Sequence, residues 1–521
     1  MSRPSIPPGR MSRSLGHPLV PLLVLMTVIA AGCGDKKVEL RFCGEKHAIS
    51  TQTIRCQMEN VRDLEVLKKF PKLWRVDLSR SGVRDLGFTH GMKSLRALNI
   101  SGTPVVDLAL LEEVDGLETL IIDDMQSLDW STLRHLSQVE QLVARDNRIG
   151  SLEVLSGMRS LETLVLNRAE FEGTDKLSAL TNLRSLSLDE TPVDEVGFLK
   201  GMSRIEWVSI AGTKVEDLSP VARLEKLWRL DARNAPVESI EPIRGLSQLQ
   251  VLKLSDTKIA SIEPVGRHLG LRFLEIANTR VSDVSSLAGM RKLRRVVARG
   301  CPIEDIEALA DKPELEVLDL TGTLVGSLAP LEKAVSLYDL SASGTPLEKI
   351  AGLSRLENLR KLNLSGTRVS SLAPLGRTRK LAMLDLSRTP LERVDFEKQA
   401  GLAVLKLNGT RVRDLGFVRR VPDLETLEID STPVENLAPL RSAKLLRRLS
   451  ARGVTVKDLD PLRDMGMLRD LDLRGARIED PSSLFELEHL EGLSISQDTL
   501  TEKLLEKLKK KKKLELEVAP G

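Results

Sequence analysis

The sequence predicts an α/β solenoid. This is a curved horseshoe with a parallel β-sheet on the concave face, 3₁₀ or extended segments on the convex face, and a short helical C-terminal cap. Three observations predict it. First, one phrase recurs: LNLSGTRVSSLAPL at Leu362–Leu375 reappears as LDLTGTLVGSLAPL from Leu318 and LKLNGTRVRDLGFV from Leu405. Second, the spacing is fixed. Aligned from the apolar residue (usually Leu) three places earlier, copies start at 73, 95, 117, 139, 161, 183, 205, 227, 249, 271, 293, 315, 337, 359, 381, 402, 424, 446, 468 and 490. Every step is 22 residues except 381 to 402, which is 21. A degenerate copy at 51–72 precedes them, making 21 repeats. Third, each repeat alternates. Positions 4 and 6 (Leu362 and Leu364 in the quoted copy) point to one side of a short strand, and positions 3, 5 and 7 (Lys361, Asn363, Ser365) to the other.

The period and the pattern L-x-x-L-x-L-x-x-T-x-V-x-x-L-x-x-L resemble the leucine-rich repeat. The 22-residue length is similar to bacterial internalin-type repeats and to the leucine-rich regulatory subunit of protein phosphatase 1. The resemblance covers about nine tenths of the chain, numbered here repeat 1 (51–72) to repeat 21 (from 490). It implies an α/β leucine-rich repeat solenoid over 51–498. One repeat cannot bury its own apolar side, so stability comes from neighbours. Each buried aliphatic side chain contributes about 1.5–3 kcal/mol only when both flanking repeats are present.

The remaining repeat positions read as scaffold. Position 11, 14 and 17 residues (Val369, Leu372, Leu375) bring the chain back over the core. Position 9, usually Asn in the family, is Thr at 103, 191, 213, 257, 279, 323, 345, 367, 389, 410 and 432, with Asn147 and Cys301 in two more. A polar side chain there can satisfy backbone groups where the strand turns. The expectation is a Thr ladder, broken at Met125, Ala169, Ala235, Val454 and Ala476. Gly at position 8 (Gly102, Gly212, Gly322, Gly344, Gly366, Gly409) permits a left-handed backbone. Pro at position 16 (Pro220, Pro242, Pro264, Pro330, Pro374, Pro439, Pro461) fixes an extended or 3₁₀ return.

At the N-terminus, HPLVPLLVLMTVIAAGC (His17 to Cys33) follows Arg3, Arg10 and Arg13. A positive start, a short apolar run and small residues before a cut read as a secretory signal over 1–32. The run ends Ala30-Ala31-Gly32-Cys33 and resembles the bacterial lipoprotein lipobox. That resemblance implies lipidation of Cys33, a membrane anchor and a cell-envelope location; Ala30 departs from the usual Leu, and either Met1 or Met11 can start the chain. Residues 33–50 form the lipidated N-terminus and a cap, with Val38, Leu40 and Phe42 alternating as an edge strand. In an exported chain Cys43 and Cys56 can pair and cover the first edge, leaving Cys301 buried and inert. At the other end, residues 499–521 form a cap helix and strand. Thr499-x-x-Glu502 is a capping-box signature. Lys509–Lys513 read as solvated charges beside an edge strand.

No catalytic constellation is present in the sequence. The six histidines are scattered, with no metal-ligand spacing, and there is no nucleophile elbow, P-loop or dinucleotide fingerprint. No cofactor and no small-molecule substrate are expected. A net charge of +3 with 29% charged residues is not the signature of a nucleic-acid binder. What remains is a concave sheet lined by positions 2, 3, 5 and 7, roughly 100 Å along at ~4.8 Å per strand. Trp207, Trp228 and Phe273 lie there among Arg229, Arg233, Arg272, Arg294, Arg295 and Arg299. Trp and Arg anchor interfaces, so Trp207, Trp228, Arg229, Arg233, Phe273, Arg295 and Arg299 are the expected partner-binding residues. Trp130, at position 14, is expected in the core. The function expected is a monomeric, non-catalytic, lipid-anchored scaffold that binds a protein on its concave face. A structural envelope spacer and an internalin-like adhesin are the alternatives.

Overall fold

A computed structural model describes residues 39–57, 61–395, 397–511 and 513–519. Cys33 and the signal segment lie outside these residues. One parallel sheet of 22 strands runs the length of the solenoid, from Thr53–Arg55 to Glu515–Ala519, in chain order. Neighbouring strands pair one repeat apart, as in Leu340 with Leu362 and Leu362 with Leu384. At the short repeat the register drops by one residue, pairing Leu384 with Leu405, and the sheet continues unbroken. The first strand pairs only with Arg75–Asp77 and the last only with Gly492–Ser496, so the sheet has two edges.

Positions 4 and 6 form the inner wall of the core and positions 11, 14 and 17 the outer wall; Leu362, Leu364, Val369, Leu372 and Leu375 are all 0–1% exposed. The convex return is a 3₁₀ turn in most repeats. All seven prolines at position 16 sit in the first turn of such a segment, for example Ala373–Arg377, where the missing N–H leaves nothing unpaired. Trp130 opens the 3₁₀ segment Trp130–His135 and is core, as expected.

Position 9 behaves differently from a ladder. Each Thr donates its hydroxyl to the carbonyl three residues back in its own repeat, as Thr345 does to Ala342 (2.7 Å) and Thr367 to Leu364 (2.7 Å). The bond closes a local turn; it does not tie repeats together. Only the two substitutes reach across: Asn147 donates to Ile122 O and accepts from Met125 N, and Cys301 Sγ lies 2.9 Å from Ile276 O. After Asn147, Ala169, Val454 and Ala476 the chain stays extended and forms two outer parallel pairs. These are Arg148–Ser151 with Glu170–Glu172, and Thr455–Asp458 with Arg477–Asp480. Met125 and Ala235 also lack a hydroxyl at position 9, but no outer strand follows them.

The caps cover the two ends of the core. Glu39–Phe42 and Glu45–Ala48 form an antiparallel hairpin turning at Cys43 and Gly44, both at positive φ. Cys43 is joined to Cys56 as a disulfide, Cα to Cα 5.6 Å, and Phe42 is buried. At the far end the helix Glu502–Lys509 is capped by Thr501, whose hydroxyl accepts from Leu504 N, and not by Thr499. The Thr499 hydroxyl donates to Ala476 O, the carbonyl beside a position 9 without its own donor. Starting the helix two residues later lets Leu500 and Leu504 pack on the core. Lys507 and Lys511 flank the Phe485 ring at 4.8 and 5.5 Å, and Lys511 donates to Leu487 O. Part of the basic tail therefore fastens the cap.

Candidate concave interface

The sheet register decides which sequence-separated residues share a row on the open face. Position 3 gives the row Trp207, Arg229, Val251, Phe273 and Arg295 on five adjacent strands. Position 5 gives Ser209, Asp231, Lys253 and Glu275 beside it. Position 7 places Arg233 and Arg299 three strands apart, with only Ser255 and Ala277 between them. Trp207, Arg229, Arg233, Phe273, Arg295 and Arg299 thus form one patch over repeats 8 to 12. Trp228 does not enter these rows. It precedes its strand, half-buried, in line with Glu206, Gln250 and Arg272 at the flank of the sheet.

The patch is recessed, with Arg229 8%, Asp231 2% and Lys253 8% exposed despite lying on the uncovered face. Long side chains cover one another here. The Arg229 guanidinium lies over the Trp207 ring, 5.4 Å from its centroid. Asp231 accepts both arms of Arg233, at 2.8 and 2.9 Å. Glu275 faces Lys253 at 3.4 Å and Arg295 at 3.7 Å. Asp189 accepts from Ser209 (2.5 Å) and from Ala211 N (3.0 Å). Burial is the largest influence on three of these groups: it pulls Arg229 and Lys253 below their ordinary pKa and pushes Asp189 above its own. Arg233 moves up, chiefly through its bonds to Asp231.

Two donors are left over. Arg229 Nε and Trp207 Nε1 are closed to solvent and have no hydrogen-bond acceptor. Among the described residues no carboxylate lies within ion-pair distance of Arg229; those nearby are taken by Arg233, Lys253 and Arg295.

Composition also leaves a second concave cluster unannounced. In repeats 18 to 20 a concavity of about 510 Å³ is lined by Asp430, Arg452, Asp472 and Arg474. Here the arginines are matched. Arg452 reaches Asp472 at 2.7 Å and Asp430 at 3.8 Å, and Arg474 grips Asp472 with two nitrogens and approaches Glu517. Arg474 and Asp472 lie two residues apart in one repeat, but the contacts of Arg452 with Asp430 and Asp472 join neighbouring repeats, which charge-pattern reasoning along one strand misses.

Among the described residues no group of three or more His, Cys, Asp or Glu is placed to hold a metal ion, and no helix is long and apolar enough to cross a membrane.

No family model and no curated protein match the chain. Solved structures do. An internalin from Listeria monocytogenes is 19% identical over 62% of this chain and 88% of its own, with a TM-score of 0.51. A leucine-rich repeat protein from Leptospira interrogans is 16% identical over 88% of this chain and 98% of its own, at 0.51. The leucine-rich repeat ectodomain of an Arabidopsis thaliana receptor kinase, solved in complex with Casparian strip integrity factor 2, is 18% identical over 89% and 66%, at 0.57. With the 22-strand sheet and its 3₁₀ returns, these likenesses establish the fold: a leucine-rich repeat solenoid.

Proposed function

We propose that the solenoid is a non-catalytic, lipid-anchored scaffold of the bacterial envelope that binds a protein partner on the concave face of repeats 8 to 12. The observation that carries the reading is the row Trp207–Arg229–Val251–Phe273–Arg295: aromatic and guanidinium groups side by side on an uncovered sheet. Such groups dominate interface energetics because they bury large, rigid area and form directional bonds. A similar fold holding another molecule supports the reading, as in the Arabidopsis receptor ectodomain solved in complex. The anchor rests on the sequence before Cys33.

Two experiments test it. Trp207→Ala with Trp228→Ala is expected to abolish recovery of one stoichiometric partner from detergent-solubilised envelopes while thermal unfolding stays as in the wild type. A hot-spot truncation costs about 2 kcal/mol or more, so loss of Trp207 alone weakens binding by about thirtyfold or more, and Trp228 at the flank adds to it. Unchanged recovery with an intact fold would place binding elsewhere. For the anchor, radiolabelled palmitate is expected in the wild type and not in Cys33→Ser; equal labelling refutes lipidation at Cys33.

A further inference from the structure

Arg229 is the anomaly of the concave face. Elsewhere on that face arginines lie beside carboxylates: Arg233 on Asp231, Arg295 near Glu275, Arg452 and Arg474 on Asp472. Among the described residues Arg75 and Arg299 on the same face also lack an ion pair, but Arg75 is half-buried and Arg299 exposed, whereas Arg229 is buried without one. A buried, unpaired cation lowers stability. The Trp207 indole N–H, closed to solvent without an acceptor, lowers it further. A guanidinium stacked on an aromatic ring, with one unmet donor on each residue, is the polar half of a contact whose other half is absent.

We infer that Trp207 and Arg229 form a receptor for a carboxylate side chain presented by an acidic, extended segment of the protein partner. The inference rests on the proposed concave binding and specifies what the patch selects. Geometry favours a carboxylate. Through its two terminal nitrogens a guanidinium offers a planar fork of donors that matches two carboxylate oxygens, and the Trp207 ring on which it lies holds it in place. Charge agrees. Arg229, Arg233, Lys253, Arg295 and Arg299 face Asp231 and Glu275, leaving the patch positive. The resident carboxylates make a compact dianion less suitable than a single negative charge, since Asp231 and Glu275 lie on the adjoining row.

The row also sets a spacing. Phe273 is two strands from Arg229, about 10 Å at ~4.8 Å per strand. A segment in the extended polyproline II conformation, with three residues per turn and about 3.1 Å per residue, covers that span in three residues and keeps both side chains on one face. The segment therefore carries an acidic residue and, three positions away, an apolar one that sits on Phe273 and Val251. Arg295, one strand further, is exposed and meets a second acidic group beyond the apolar one.

The test uses full-length protein in detergent micelles, labelled with 5-fluorotryptophan. The chain has four tryptophans, and Trp207→Phe assigns the resonance of interest. The probe is a blocked peptide built on Glu-Ser-Ser-Leu-Glu. Its controls are the Gln-Ser-Ser-Leu-Gln counterpart and inorganic phosphate at equal ionic strength. The Glu peptide is expected to shift the Trp207 resonance saturably and leave that of core Trp130 unmoved. The Gln peptide and phosphate are expected to move neither resonance. Arg229→Met is expected to weaken the peptide at least tenfold, and to melt at or above the wild-type temperature because the unpaired charge is gone. Arg229→Lys, which keeps charge but not the fork, is expected to fall between. The inference is overturned if the Glu peptide leaves Trp207 unmoved, if the Gln peptide or phosphate acts equally well, or if Arg229→Met binds normally and melts earlier. The last outcome would make Arg229 a packing residue. If the peptide fails while Trp207→Ala with Trp228→Ala still loses the partner, concave binding stands and its acidic chemistry does not. If the peptide binds but the partner ignores the tryptophan changes, the receptor stands and the partner reading fails.

Discussion

Lys312 shows how a single residue can contradict a repeat without breaking it. It occupies position 20, which is Leu, Met or Val in most repeats. Yet it is only 1% exposed, its Nζ meeting Ala310 O at 3.3 Å. Burial pulls the ammonium below the ordinary lysine value of 10.5. The stem fills the slot that Met290 fills one repeat earlier, so the shape fits while the charge does not. Lys312→Met is expected to raise stability by roughly 1–2 kcal/mol, an amount typical of relieving an ill-compensated buried polar group. The pH dependence identifies the cause. With the folded pKa depressed, the unfolded chain holds the extra proton, so wild-type stability rises with pH from the folded pKa to 10.5. The advantage of Lys312→Met in denaturant midpoint is therefore expected to narrow as pH rises through that window. A constant or widening gap would show that the charge is not what costs stability.

Position 8 makes a related point. It is left-handed in every repeat from Arg80 to Gly475, with Gly in nine and residues such as Glu190 and Arg388 in ten. The glycines were legible in the sequence, but the requirement at the others was not. Stacked neighbours impose the turn whatever residue is there, at about 1 kcal/mol of local cost.

At the scale of elements, the strands and 3₁₀ returns were legible because leucine spacing and Pro at position 16 are local signals. The outer pairs Arg148–Ser151 with Glu170–Glu172 and Thr455–Asp458 with Arg477–Asp480 were not. They depend on two successive repeats both staying extended, and 170–176, which loses the repeat pattern, holds a strand and the start of a 3₁₀ turn. The C-terminal cap was displaced by two residues for the same reason: Thr499 is spent on Ala476 O, a partner in the preceding repeat. The N-terminal cap carries a testable consequence. The Cys43–Cys56 link joins the hairpin to the first strand across 13 residues. Opening a loop of that size costs about 2–4 kcal/mol. In a solenoid the loss stays local, because each repeat contacts only its neighbours. Reduction is expected to speed amide exchange in Arg75–Asp77 and Ala97–Asn99 and to leave Arg295–Val297 unchanged. Uniform acceleration along the chain would contradict nearest-neighbour stability.

For the molecule as a whole, the repeat dictates a long sheet with one face covered and one face open, and function must lie on what the repeat does not dictate. The residues Trp207, Arg229, Phe273 and Arg295 were legible as types at variable positions. Their assembly into one row followed from an unbroken register. The pairing was legible only in part: Arg233 and Asp231 lie two residues apart in one repeat, but that Glu275 serves Lys253 and Arg295, and that no carboxylate is left for Arg229, depends on side chains meeting across strands. The same limit hid the matched charges of repeats 18 to 20.

The central claim, that a partner sits on this row, is tested most directly by site-specific photocrosslinking in cells. Benzoylphenylalanine replaces Val251, which is half-buried between Arg229 and Phe273, and in a control replaces exposed Ala222 on the convex 3₁₀ turn. The prediction is one discrete adduct from position 251 that disappears with Trp207→Ala, and none from position 222. No adduct at 251, or the same adducts from both positions, would contradict it.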